Sequence, residues 1–113
     1  MAALKIGVLI SGRGSNLQAL IDACAEPEFP AEIALVISNA PEAAGLERAE
    51  RASIATTVIE HRDFTDRDAF DRALDAALME AGVELVCLAG FMRLLGAPFV
   101  ERRRDRVINI HPS

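Results

Sequence analysis

The sequence predicts an α/β fold: a Rossmann-like, mostly parallel five-stranded sheet with helices on both faces. Three observations carry that expectation. Short aliphatic runs alternate with stretches of helical periodicity along the whole chain. The composition is 51% hydrophobic with five Phe and no Trp or Tyr, so the core is aliphatic and alanine-based, as in layered α/β proteins. No repeat, low-complexity tract or linker interrupts the 113 residues. A single domain of that size buries roughly 65% of its unfolded surface around one core.

The elements follow in order. Lys5 to Ile10 (KIGVLI) is a compact aliphatic run that ends in the glycine-rich turn SGRGSN. Leu17, Leu20, Ile21 and Cys24 then fall on one face of a helix, which Pro27 and Pro30 close. Glu32 to Ser38 is a second strand, followed by a helix near Glu42 to Arg51 in which Gly45 is a weak point. Thr56 to Glu60 reads as a third strand. Thr65 is a good N-cap for the helix whose apolar face is Phe70, Ala73, Leu74, Ala77 and Leu78, and Gly82 is placed to end it. Val83 to Ala89 is a fourth strand, apolar enough to be buried on both faces. A shorter helix opens near Pro98, and Arg106 to Ile110 is the fifth strand. Alternation of strand and helix implies right-handed parallel crossovers, with ligands bound beyond the carboxyl ends of the strands.

Several classes of function are excluded. The longest apolar stretch, Leu85 to Met92, falls far short of the ~20 residues that cross a bilayer, and the N-terminus lacks a signal-peptide pattern. A net charge of −5 disfavours nucleic-acid binding, which rests on phosphate neutralisation. The basic run Arg102-Arg103-Arg104, set between Glu101 and Asp105, reads as a solvated helix face. Cys24 and Cys87 are distant and lie in apolar surroundings, as reduced buried thiols of a cytoplasmic protein do. No metal-ligand spacing is present, and His61 and His111 are the two imidazoles.

The residues that look chemical gather on one edge. In SGRGSN, Gly12 and Gly14 allow a tight turn with free amides, and Ser15 and Asn16 begin the next helix, so the stretch is either a turn that uses glycine for its geometry or a cradle for a phosphate monoester. It is neither a dinucleotide fingerprint, since Leu17 replaces the third glycine, nor a Walker A loop. Arg13 adds charge there or faces water. In VINIHPS, strand alternation puts Asn109 and His111 on one face, about 6.6 Å apart, with Ile108 and Ile110 packed on the other. An amide that holds an oxyanion and an imidazole that moves a proton suit chemistry at a carbonyl. GFMRLL either closes the core over the sheet end or receives a flat heterocycle with open backbone amides. Arg67 either pairs with Asp63 or Asp71 at the surface or reaches the strand edge to meet a carboxylate or carbonyl oxygen. His61 reads as a solvated loop residue.

KIGVLISGRGSNLQALIDAC, VISN, LAGFMRLL and VINIHPS, in this order and spacing, closely resemble the phosphoribosylglycinamide formyltransferases, the folate-dependent transformylases of purine biosynthesis. The resemblance runs along essentially the whole chain. SGxGSNLQ with NIHPS separates it from the methionyl-tRNA formyltransferases, which share Asn-x-His but differ in the first loop, and from the formyltetrahydrofolate deformylases, which lack this loop. It implies transfer of a formyl group from 10-formyltetrahydrofolate to the amine of glycinamide ribonucleotide, with small-molecule substrates and no metal. By the same resemblance, Gly14, Ser15 and Asn16 hold the ribonucleotide phosphate. Met92, Arg93, Leu94 and Leu95 line the folate pocket together with Asn109, and Arg67 contacts the formyl-folate. Asn109 polarises the formyl oxygen, and His111 transfers the proton.

The family continues past Ser113, and its later segment supplies more of the folate cleft and an aspartate that tunes the histidine. No acidic residue upstream of His111 matches that aspartate. Residues 1–113 are therefore expected to be the N-terminal phosphate-binding part of a formyltransferase domain, incomplete for transfer alone. Alternative expectations are a non-catalytic phosphosugar-binding fragment or one half of a split enzyme. A chain ending here would also expose a strand edge, favouring a homodimer or other association through it.

Overall fold

The aliphatic run KIGVLI becomes the middle of the sheet, where a strand can bury both of its faces. A computed structural model of the chain describes residues 3–91 and 96–110. Its elements are β1 (Leu4–Ile10), α1 (Ser15–Cys24), β2 (Ala31–Ser38), α2 (Ala44–Arg51), β3 (Thr56–Val58), α3 (Arg67–Glu80), β4 (Leu85–Ala89), α4 (Ala97–Arg102) and β5 (Val107–Ile110). A single 3-10 turn, His61–Asp63, precedes α3. The sheet runs β3-β2-β1-β4-β5, and every neighbouring pair is parallel.

Two cores sandwich this sheet. On one face Ile6, Val8 and Ile10 of β1 and Cys87 and Ala89 of β4 pack with Leu17 of α1 and Leu46 and Ala49 of α2. On the other, Leu9, Leu35, Ile37 and Val86 pack with Phe70, Leu74 and Leu78 of α3 and Phe99 of α4. Alternation along β1 sends successive side chains to opposite faces, which is why both cores draw on one strand. Pairing of β1 with β2 skips Ala34, so that Ile6 faces Ile33 but Gly7 faces Leu35. This bulge brings Ile33 and Val36, three apart, onto the same core. Gly7 lets α3 approach: a Cβ there would lie 2.6 Å from Leu78 Cδ2 and 3.0 Å from Val83 Cγ2.

Helix α3 ends as its sequence suggests. Gly82 adopts φ +74°, its N–H donates to Met79 O at 3.0 Å and that of Val83 to Leu78 O at 3.0 Å, a Schellman closure. Its start lies one residue later than Thr65. Asp66 is extended, and its carboxylate accepts the Ala69 N–H at 2.8 Å. Both residue types can cap, but the carboxylate also meets the positive end of the helix. Strand β3 is an edge strand and stops at Val58, although Ile59 N–H still reaches Ser38 O at 2.9 Å. The fourth and fifth strands also begin later than expected, at Leu85 and Val107.

The basic run is not a uniformly solvated face. Arg103 is 8% exposed; its Nη2 lies 2.8 Å from Asp75 Oδ1 and its guanidinium sits 5.4 Å from the Phe99 ring centroid. Arg102 Nε joins the same carboxylate at 3.3 Å, while Arg104 pairs at the surface with Glu101. On β5, Val107 packs on the α3/α4 core and Ile110 on the α1/α2 core, whereas Ile108 is 47% exposed instead of packed. Within the described residues β5 pairs with β4 alone, leaving its other edge open. Among the described residues no helix is long and apolar enough to cross a membrane.

Candidate functional site

The strand order places a crevice at the carboxyl end of β1. The chain leaves β1 toward β2 on one side and returns through α3 to β4 on the other. The loops after β1 and β4 therefore diverge, which is where open parallel sheets bind ligands. A cavity of about 290 Å³ occupies this position, lined by Gly12, Arg13, Gly14, Ser15, Asn16, Ala89 and Gly90.

Three of its seven lining residues are glycines, where only backbone faces the cavity. Gly14 is the N-cap of α1 with φ +79°, a left-handed conformation that L side chains rarely adopt. It also lies against α2, since a Cβ on Gly14 would stand 2.6 Å from Gly45 Cα. The loop's carbonyls are held on the α2 and α1 sides: Gly12 O accepts from Gly45 N–H at 3.0 Å, Arg13 O from Arg48 Nε at 2.8 Å, and Gly14 O from Gln18 N–H at 2.8 Å. The first N–H groups of α1 have no intrahelical acceptor, as at any helix start, and line an anion-accepting concavity. None of the lining residues is acidic.

Gly14, Ser15 and Asn16 all line this cavity. Asn16 Nδ2 donates to Ile110 O at 3.4 Å, tying the loop to the end of β5. Asn109 lies opposite Leu88 in the β4–β5 ladder, exposed and outside the cavity lining. Arg67 is the first residue of α3, exposed, and forms no ion pair with Asp63 or Asp71 among the described residues. Asp71 is 3% exposed and turned inward, where Oδ2 accepts from Gly96 N–H at 2.7 Å. Phe91 packs on the α3/α4 core, so that end of GFMRLL closes the sheet. Met92, Arg93, Leu94, Leu95 and His111 lie outside the described residues.

Cys87 is buried, and burial, with a smaller contribution from Cys24, pushes its thiol up to about 11. Burial also raises the Cys24 thiol. Among the described residues no group of three His, Cys, Asp or Glu side chains could hold a metal ion.

Sequence reasoning missed Gly45 and Arg48. Gly45 looked like a flaw in a helix, yet its missing side chain lets α2 touch the loop: a Cβ would lie 2.6 Å from Ile10 Cδ1 and 3.2 Å from Gly12 O. Their spacing of three, which puts both on one helix face, was the available signal.

Residues 4–113 match the family described as formyl transferase. The chain is 53% identical over 109 residues to the trifunctional purine biosynthetic protein adenosine-3 of Homo sapiens, covering 96% of this chain and 11% of that protein. It is 46% identical over 110 residues to the phosphoribosylglycinamide formyltransferase of Escherichia coli K12, covering 97% of this chain and 52% of the other. The structure aligns with the phosphoribosylglycinamide formyltransferase of Brucella melitensis at a TM-score of 0.95 and 46% identity, covering 98% of this chain and 58% of that one. The chain thus spans about half the length of its bacterial relatives and about a tenth of the trifunctional one. Matched in sequence over residues 4–113 and in fold over 98% of its length, this chain belongs to the formyl transferase family.

Proposed function

We propose that residues 1–113 are the N-terminal, ribonucleotide-binding part of a formyltransferase domain in a cytoplasmic protein. That protein transfers a formyl group from 10-formyltetrahydrofolate to the amine of glycinamide ribonucleotide. The amide-lined cavity after β1 carries this reading, because its donors and its lack of acidic residues suit a phosphate monoester. The activity named for the relatives, and the lengths over which they match, support the same substrates.

In this reading Gly14, Ser15 and Asn16 hold the phosphate and leave the substrate's amine to reach along the carboxyl edge toward β5. Arg67 and the segment Met92, Arg93, Leu94 and Leu95 receive the formyl-folate. That segment is bounded by Phe91 on the core and by Gly96, whose N–H is held by Asp71. The amine attacks the formyl carbon, and Asn109 donates to the oxygen as negative charge develops on it. His111 then carries the proton lost by the amine to the folate nitrogen, whose bond to carbon breaks. The formyl group moves directly from one nitrogen to the other, with no covalent enzyme intermediate.

The test is His111→Ala in the full polypeptide that carries this chain. Formyl transfer should fall by about 10²–10⁴-fold while ribonucleotide affinity stays nearly unchanged. Equal loss of binding and transfer would give His111 a structural role. Binding without transfer in the unsubstituted protein would favour a phosphosugar-binding module.

A further inference from the structure

Arg48 braces the loop and the first turn of α1 from the α2 side. Its Nε donates to Arg13 O at 2.8 Å and its Nη1 to Gln18 Oε1 at 3.4 Å. Its Cδ lies 3.4 Å from the place of a Cβ on Gly14. Gln18 is itself oriented, since its Nε2 donates to Asp22 Oδ1 at 2.9 Å and leaves its oxygen for Arg48. Gly45, one helical turn earlier, holds Gly12 O through its N–H at 3.0 Å. Two successive loop carbonyls are therefore drawn toward α2. In a trans peptide the C=O and N–H point in opposite directions, so the N–H groups of Arg13 and Gly14 are turned away from α2.

We propose that Arg48 is a positioning residue for the phosphate of the substrate. It fixes the peptide planes whose N–H groups receive the phosphate monoester, and its delocalised charge, held behind the loop, favours the dianion. The proposal rests on the reading of this loop as the ribonucleotide's phosphate site. A lysine supplies the charge but not the fork: one ammonium on a flexible stem does not reproduce the fixed geometry on Arg13 O and Gln18 Oε1.

The test compares unsubstituted protein, Arg48→Ala and Arg48→Lys in the full polypeptide, by calorimetric titration with ribose 5-phosphate and by steady-state kinetics with both substrates. Arg48→Ala should weaken ribose 5-phosphate binding, and raise KM for the ribonucleotide, about tenfold, with kcat and the formyl-folate KM within about twofold. Arg48→Lys should recover part of that loss. Unchanged ribose 5-phosphate affinity would overturn the proposal, as would equal changes in kcat and both KM values, the mark of a general structural role. If Arg48→Ala does not fold, Gln18→Ala, which removes the second anchor, should weaken ribose 5-phosphate severalfold, and no change there overturns the proposal equally. A ribose 5-phosphate shift that persists in a protein that transfers no formyl group would refute the function proposed above while leaving the role of Arg48 standing.

Discussion

Gly14 and Gly45 touch backbone to backbone: a Cβ on the first would stand 2.6 Å from the Cα of the second. The loop that opens α1 and the first turn of α2 are thus one packed unit. Two hydrogen bonds from α2, one from the Gly45 N–H and one from the Arg48 side chain, set its geometry.

Gly45→Ala should separate stability from binding. An alanine in the first turn of α2 gains at most about 1 kcal/mol over glycine, whereas the overpacking against Ile10 and Gly12 costs about 1–3 kcal/mol. With that gain in full the net cost is at most about 2 kcal/mol, so the unfolding midpoint in urea should fall modestly. The loop cannot escape so easily, because its carbonyl faces the new methyl. Ribose 5-phosphate affinity measured by calorimetry should drop about tenfold; an unchanged affinity would show that the loop tolerates the displacement.

Arg103 and Asp75 form a largely enclosed pair that locks the turn after α4 onto α3. Removing the guanidinium leaves Asp75 with Arg102 at 3.3 Å and strips the Phe99 ring of its cation. Arg103→Ala should therefore destabilise the fold by about 2–3 kcal/mol, against at most about 0.5 kcal/mol for the exposed Arg104→Ala. Urea unfolding of both variants checks the contrast, and equal effects would contradict it.

The raised Cys87 thiol gives a pH signature. In the unfolded chain the thiol ionises near its ordinary value of 9, while in the fold it stays protonated up to about 11. Its stabilising contribution is whole below pH 9 and is lost as pH rises through 11, a loss of about 2–3 kcal/mol. Cys87→Ala should be less stable at neutral pH yet lose less between pH 9 and 11 than the unsubstituted protein. Parallel decline of the two stability curves would refute it.

What the sequence makes legible is whatever depends on neighbours a few residues apart. The stripe of Leu17, Leu20, Ile21 and Cys24 declares α1, and all four pack on one core. Gly82 declares the end of α3. Pairings across long separations leave no such local trace. Arg103 meets Asp75 twenty-eight residues away, so a run of three arginines looks solvated until the helices pack. Asp71 likewise reads as a surface acid at the head of a helix, but its partner is Gly96 on another segment. At the site, the glycine loop after β1 is evident from composition, whereas the support from Gly45 and Arg48 depends on α2 docking beside α1. The Thr65 cap fails for a different reason: its neighbour Asp66 caps instead, with a carboxylate that accepts the Ala69 N–H and meets the positive end of the helix.

The tie from Asn16 to Ile110 spans 94 residues, which bears on when the loop acquires its final shape. During synthesis β1 and its glycine turn leave the ribosome before β4 and β5, and the loop waits for those strands to join the sheet. Parallel ladders separated by so much sequence form slowly. An anion bound in the finished crevice thus recognises the assembled sheet and not its early collapsed forms. Such a ligand would hold β5 in place, acting as a brake on unfolding more than as an aid to folding.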